Sequence, residues 1–320
     1  MIYAIDPQLP RALPWDDAGA VVTIGTFDGV HRGHREVLYE IVQRARRTGR
    51  RSALVTFHPH PLRIVRPDMA PELLTTAAEK KELLAESGLE YVIFVPFTHV
   101  LKEYPARRFV EEILIDRVGM KELVIGYDHG FGKDREGTVE TMHALGTELG
   151  FNVDVVEAVG AADEPVSSTR IRRALVAGEV QSAAQGLGRP YSIRGLVVHG
   201  AERGRKLGYP TANLQLGDPE KLLPLEGIYA VYGWVGGSKI AGLLHLGPVP
   251  TFGGTQPTIE LHLLDWQGDL YGREVRIDFL ARLRGILPFA SVSELVNQMK
   301  RDEVEARELF AAAPNPSGLW

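Results

Sequence analysis

The sequence predicts an α/β protein in two parts: a doubly wound, Rossmann-like parallel sheet, then a small antiparallel β-barrel with a C-terminal helix. Three observations carry that prediction. Short β-branched runs alternate with helix-period segments up to about residue 183, and the texture then changes to brief alternating segments rich in glycine. At 320 residues the chain is also long for a single core. The boundary is expected at 185/186, giving domains 1–185 and 186–320.

The first strand is Ala20-Val21-Val22-Thr23-Ile24, a short apolar run bounded by Gly25 and suited to a buried parallel strand. Beyond it, Val37, Leu38, Ile41, Val42 and Ala45 repeat at helical spacing. The stretch between them, Gly25-Thr26-Phe27-Asp28-Gly29-Val30-His31-Arg32-Gly33-His34, is therefore a strand-to-helix turn with two histidines at the helix start. A helix N-terminus presents unpaired N–H groups and positive potential, so phosphate can dock there. His31 and His34, at i and i+3, project to one side, where imidazole N–H groups can donate to phosphate oxygens gaining charge.

Strand Ser52 to Phe57 follows, running into His58-Pro59-His60-Pro61, where two prolines hold an extended loop. At the carboxyl end of a parallel strand such a loop faces the ligand crevice. Metal binding by these histidines is disfavoured, since no cysteine or carboxylate nearby completes a site. A helix from Ala77 to Glu86, a strand from Tyr91 to Val95, a helix from Ala106 to Val118 and a strand from Glu122 to Ile125 continue the alternation. Gly126-Tyr127-Asp128-His129-Gly130-Phe131-Gly132 then bends the backbone, and Phe131 offers a ring to a planar ligand. Lys133 does not make a Walker loop, because Asp134 stands where Ser or Thr is required.

After a helix from Val139 to Leu149 and a strand from Val153 to Val156 comes Ser167-Ser168-Thr169-Arg170-Ile171-Arg172-Arg173. Helix capping explains one of these hydroxyls. Three hydroxyl residues followed by three arginines fit a second anion site at a helix start better.

In the second part, strands are expected at Tyr191–Val198, Gly227–Val235, Lys239–Leu246, Thr258–Asp265 and Arg273–Leu280, with a helix from Val292 to Phe310 across the barrel. Gly204-Arg205-Lys206-Leu207-Gly208-Tyr209-Pro210-Thr211-Ala212-Asn213 places Thr211 and Asn213 on one side of an extended chain, two neutral oxygens for a hard cation held by ATP phosphates. In Thr258 to Asp265, Glu260 and His262 share one face while Ile259, Leu261 and Leu263 share the other. Alternation alone leaves open which face lies inside the barrel. An inward carboxylate would be a candidate base, and an outward one an ordinary surface residue.

Composition narrows the partners. A formal charge of −5 argues against nonspecific polyanion binding. The cluster Arg44, Arg46, Arg47, Arg50 and Arg51 reads as a solvated helix end, favourable to the helix dipole, rather than a nucleic-acid patch. No run approaches the ~20 apolar residues that span a bilayer, and the start lacks a basic region followed by an apolar one, so a cytoplasmic protein without membrane contact is expected. The absence of cysteine removes disulfides, thiolate nucleophiles and cysteine-bound zinc.

The G-T-F-D-G-V-H-R-G-H stretch resembles the phosphate signature of the H-x-G-H nucleotidyltransferases, in the form found in bacterial bifunctional riboflavin kinase/FAD synthetases. The resemblance extends to F-H-P-H-P, to Gly126–Gly132, to S-S-T-R-I-R, and, from Leu187 to about Phe289, to a riboflavin kinase domain with G-R-K-L-G-Y-P-T-A-N, the P-T-F turn within Gly247–Gly253 and an E-L-H strand. It implies His31 and His34 as catalytic groups of adenylyl transfer. Gly25, Phe27, Asp28, Gly29, Gly33, Ser168, Thr169 and the phosphate arginine Arg172 would bind the nucleotide there. Gly204, Lys206, Gly208 and Pro210 would bind it at the barrel. His58, Pro59, Asp128, Phe131 and Arg284 would touch flavin, Thr211 and Asn213 would hold Mg²⁺, and Glu260 would be the kinase base, turned into the barrel. ATP and Mg²⁺ are the implied cofactors, with FMN and FAD as products, and the implied partners are riboflavin, FMN and ATP. A weak homo-oligomer is left open. The chain departs from the family pattern at His129, at His245 (where asparagine is common) and at Ile286 (where glutamate is usual). A single-function adenylyltransferase with a flavin-binding barrel, and a flavin-responsive binding protein, are the alternatives.

Overall fold

The computed structural model describes residues 2–4, 18–126, 131–133, 136–156, 160–161, 164–200, 208–248 and 258–312. The chain divides into two compact units, 1–168 and 169–319.

The first unit is built on strands β1 (Ile2–Ala4), β2 (Ala20–Ile24), β3 (Arg51–His58), β4 (Tyr91–Pro96), β5 (Met120–Gly126) and β6 (Asn152–Val156). They form one sheet in the order β1-β4-β3-β2-β5-β6, and every neighbouring pair is parallel. The central strands are buried without alternation, as expected when both faces are covered. One face carries Val22, Val55, Ile93 and Ile125, packed with Phe109, Ile113 and Met142. The other carries Val21, Leu54, Val92 and Val124 against α1 (Arg32–Thr48), whose buried side chains are Leu38, Ile41, Val42 and Ala45. Apolar periodicity thus sets which side of α1 meets the sheet.

Helices α2 (Leu62–Val65), α3 (Ala77–Ala85), α4 (His99–Lys102), α5 (Ala106–Phe109) and α6 (Val139–Leu149) complete the unit. The single helix expected from Ala106 to Val118 is instead α5 followed by a π-helical stretch, Val110–Ile115. Strand β1 adds an edge strand to the expected sheet, and its three residues are too few to carry a periodicity. Strand order reverses between β2 and β5, so their carboxyl ends flank the switch point where α/β sheets take ligands.

A two-residue hairpin, β7 (Gly160–Ala161) and β8 (Glu164–Pro165), precedes α7 (Ser168–Val176) and α8 (Val180–Leu187). The compact units part at Ser168/Thr169, ahead of the sequence-based boundary, because these two helices pack with the barrel: the Leu225 N–H donates to the Leu175 carbonyl at 3.0 Å.

The barrel comprises β9 (Ser192–Val198), β10 (Ala212–Leu216), β11 (Gly227–Val235), β12 (Ser238–Gly247), β13 (Thr258–Leu263) and β14 (Glu274–Arg284), closed in the order β10-β13-β12-β11-β14-β9. All its pairs are antiparallel. Strand β10 was expected only as extended chain, and it is the strand that closes the barrel. Leu244 opposite Leu261, Leu246 opposite Ile259 and Val231 opposite Phe279 fill the interior. Residues of the outer wall, Ala230 and Leu243, pack on Ala306, Leu309 and Phe310 of the last helix, α9 (Val292–Ala312).

Candidate active sites

In the first unit the turn after β2 begins where the Gly25 N–H donates to the Val55 carbonyl at 3.1 Å. Its backbone passes through the left-handed region at Phe27 (φ 47°), Gly29 (φ 82°) and Val30 (φ 39°). A β-branched residue there is strained, and such strain persists only where surrounding contacts hold it. The contacts are identifiable. Both carboxylate oxygens of buried Asp28 accept hydrogen bonds, Oδ2 from the Leu74 N–H (3.0 Å) and Oδ1 from the N–H and hydroxyl of Thr75 (2.9 and 3.0 Å). The Gly29 N–H donates to Thr75 Oγ1 at 3.0 Å. The Thr26 carbonyl accepts from Lys80 Nζ (2.6 Å) and from Thr56 Oγ1 (3.1 Å). Ser168 Oγ donates to the Asp28 carbonyl at 2.9 Å.

His31 is the N-cap of α1, and its Nδ1 accepts from the His34 N–H at 3.3 Å. An accepting Nδ1 places the proton of the neutral ring on Nε2, which can donate outward. The His31 and His34 rings stack at 3.6 Å and 15°, and Phe27 packs against His34 with centroids 4.6 Å apart. A Cβ on Gly33 would come within 3.3 Å of the His31 ring, so glycine makes room for the imidazole. Phe27 is 4% exposed and packs against His34, and Asp28 is 1% exposed with its carboxylate accepting from Leu74 and Thr75, so both support the turn from within.

His58 ends β3 and is exposed at the same sheet edge as the turn after β2. His60 instead accepts the Leu62 N–H through Nδ1 at 3.2 Å. Phe131 is less open than expected: its ring packs on Phe109 at 5.4 Å, against the core. Asp128 and His129 lie outside the described residues. Thr169 and Arg172 follow Ser168 along α7. The arginine cluster is not simply solvated: Arg44 pairs with Glu40, Glu122 and Asp154, Arg50 with Glu122, and Arg51 with Glu90.

In the barrel, Glu260 is on the outer wall, which overturns its expected inward position. Ile259, Leu261 and Leu263 take the interior side, and a period of two leaves Glu260 and His262 outside. The outer position is nonetheless not plain surface. Register puts Asn213 opposite Glu260 and His245 opposite Glu260 on its other flank. Thr211 Oγ1 donates to Glu260 Oε2 at 3.1 Å, and Thr258 Oγ1 lies 3.4 Å from Oε1. His262 Nδ1 donates to the Pro210 carbonyl at 2.8 Å, and its ring meets Tyr209 edge-on at 5.2 Å. Strand β13 thus grips the P-T-A-N segment with two side chains, holding Thr211 and Asn213 beside the carboxylate. Hydroxyl and amide oxygens next to a carboxylate form a donor set that suits Mg²⁺ arriving with ATP.

The Arg284 guanidinium, expected at the flavin, pairs with Asp302 of α9, with Nη2 to Oδ2 at 2.7 Å and Nε to Oδ1 at 2.9 Å, and Nη1 donates to the Gly285 carbonyl at 3.0 Å. Gly208 takes φ 81°, while Gly204, Lys206 and residues 249–253 of the P-T-F turn lie outside the described residues. Thr75 and Lys80 also hold the turn, and neither belongs to the motifs read from the sequence. The Thr76/Glu79 capping box beside them was the available signal.

Comparison with known proteins matches each unit separately. A family model described as FAD synthetase matches residues 13–170, and one described as riboflavin kinase matches 187–310. The bifunctional riboflavin kinase/FMN adenylyltransferase of Escherichia coli strain K12 is 38% identical over 293 residues, 91% of this chain and 93% of the relative. The protein of that name from Bacillus subtilis strain 168 is 35% identical, covering 92% and 94%. A crystal structure titled as a macrolide-efflux protein from Streptococcus pneumoniae superposes with a TM-score of 0.85 at 31% identity, covering 96% of this chain and 98% of that one. By sequence over nine-tenths of its length, the chain belongs to the bifunctional riboflavin kinase/FMN adenylyltransferase family.

Proposed function

We propose that this chain makes both flavin cofactors, phosphorylating riboflavin at the barrel and adenylylating the resulting FMN at the α/β unit. One observation carries the reading: the paired imidazoles at the switch point and the Thr211–Glu260 contact each fall within the stretch matched by its own family model. The functional boundary is kept at 185/186, supported by matches that stop at 170 and resume at 187.

At the barrel, Glu260 accepts the proton of the riboflavin 5′-hydroxyl as that oxygen attacks the γ-phosphorus of ATP, and ADP leaves. Thr211 and Asn213 would hold the Mg²⁺ of Mg-ATP, and the resemblance gives the nucleotide to Gly204, Lys206, Gly208 and Pro210. An outer-wall carboxylate suits this role, because the large substrates reach it without entering a filled barrel. At the sheet, a phosphate oxygen of FMN attacks the α-phosphorus of a second ATP, the bond to the β-phosphate breaks, and pyrophosphate departs. His31 Nε2–H, His34 and the N–H groups opening α1 stabilise the added charge, and no enzyme nucleophile is required. The resemblance gives Ser168, Thr169 and Arg172 the triphosphate, and His58, Pro59 and Asp128 the flavin.

The partners are small molecules: riboflavin, FMN and ATP. Carboxylate pairing of the arginine cluster speaks against nucleic acid. No helix among the described residues is long and apolar enough to cross a membrane. The use of ATP supports a cytoplasmic location. Any self-association is expected to be weak. The deciding experiment incubates the purified chain with riboflavin and Mg-ATP and follows flavins by chromatography. FMN followed by FAD is expected, and FAD from added FMN without any FMN from riboflavin would remove the kinase half.

A further inference from the structure

His245 stands directly opposite Glu260 across the β12–β13 ladder. Its Nε2 lies 3.0 Å from the Pro248 carbonyl oxygen. A carbonyl only accepts, so Nε2 carries the ring proton and Nδ1 is a bare acceptor. That Nδ1 is buried and has no hydrogen-bond partner among the described residues. Native folds leave few such atoms, and each calls for an explanation, a functional role among them. The charged groups facing the ring are Glu260 on β13, Arg284 on β14 and Glu226 ahead of β11. Burial holds the imidazole below its ordinary value of 6.5 despite the opposing pull of Glu260, so the ring is neutral at neutral pH.

Directly opposed residues on an antiparallel ladder have Cβ atoms about 4.5–5.5 Å apart. A polyol chain with one hydroxyl on Glu260 therefore brings its next hydroxyl within reach of residue 245. We propose that His245 is a substrate-binding residue of the kinase reaction, its Nδ1 accepting a hydrogen bond from the riboflavin 4′-hydroxyl, next along the ribityl chain from the hydroxyl that Glu260 deprotonates. The assignment rests on the kinase reading given above. Asparagine would place Oδ1 where the imidazole Nδ1 lies, whereas glutamine places its amide on the Nε2 position and offers nothing at the δ position.

The test is steady-state FMN formation by the full chain, with riboflavin and Mg-ATP varied in turn. His245→Gln should raise KM for riboflavin about 10-fold, as expected for one lost hydrogen bond in a buried site, with KM for ATP unchanged. His245→Asn should restore KM to within about twofold of wild type. With 4′-deoxyriboflavin, wild type and His245→Gln should behave alike. A penalty that persists with the deoxy analogue, a parallel rise in KM for ATP, or no effect of His245→Gln overturns the proposal. Should His245→Gln fail to fold, wild type alone decides, because equal KM values for riboflavin and its 4′-deoxy analogue also overturn it. Glu260→Gln separates the two levels: if it leaves FMN formation intact the kinase reading fails, and if it abolishes turnover while His245→Gln is silent only the His245 assignment fails.

Discussion

His31 Nδ1 accepts the backbone N–H of His34, so one imidazole both caps α1 and stacks on the other. Capping and catalysis can be separated at this residue. Asparagine is a strong N-cap, so His31→Asn should melt like wild type while FAD formation from FMN falls by about 10²–10³, the cost of one transition-state donor. His31→Ala should lose that activity and also about 1 kcal/mol of stability. Riboflavin phosphorylation should be unchanged in both variants, and chromatography of the flavins with thermal melting reads all three quantities.

Glu260 receives the Thr211 hydroxyl at 3.1 Å while standing opposite Asn213. Removing the base should lower FMN formation by roughly 10²–10⁴ in Glu260→Gln, with adenylylation of supplied FMN retained. Thr211→Ala should raise KM for Mg-ATP in the kinase reaction alone. If either variant depresses both reactions equally, the assignment of one reaction to each unit is wrong.

Sequence pattern revealed the parallel sheet and the phosphate turn because both are local. A β-branched run, a glycine and a helical period adjoin within thirty residues of chain, and burial of Val21, Val22, Leu38 and Ile41 follows from them. Side-chain destinations across the fold were not legible. Asp28, expected at the nucleotide, also accepts hydrogen bonds from Leu74 and Thr75, and Arg284, expected at the flavin, pairs with Asp302 on a helix that no short-range pattern links to it. The face of Glu260 was undecidable for a different reason. Alternation fixes which residues share a side but not which side is inside, and here the interior was claimed by the larger apolar set on β12 and β13.

Lys80, 7% exposed, donates to the Thr26 carbonyl beneath the strained turn. Burial lowers its pKa from the ordinary 10.5, against the opposing charge of Asp28. The unfolded chain therefore binds more protons, and this lysine's contribution to stability rises as pH climbs from the lowered value towards 10.5. Lys80→Met should abolish that alkaline rise. It should also release the turn and reduce FAD formation by about tenfold or more, with FMN formation spared. Melting temperature against pH and the two flavin assays check the pair of effects. An unchanged FAD rate would make Lys80 a packing residue only.

The Arg284–Asp302 pair joins β14 to α9 with the Asp302 side chain only 4% exposed. Gln298 Nε2 adds a 2.7 Å hydrogen bond to the same carboxylate. Breaking a buried pair from one side strands a charge, so Asp302→Ala should destabilise the barrel unit by about 3–5 kcal/mol. Replacing both partners removes the stranded charge, so Arg284→Met with Asp302→Leu should recover most of the loss, as a double-mutant cycle in denaturant would read. Were Arg284 instead a flavin ligand, the double variant would regain stability and still fail to bind riboflavin. Held by Asp302 and Gly285, it should regain both, and flavin fluorescence titration of the refolded variant discriminates between these outcomes.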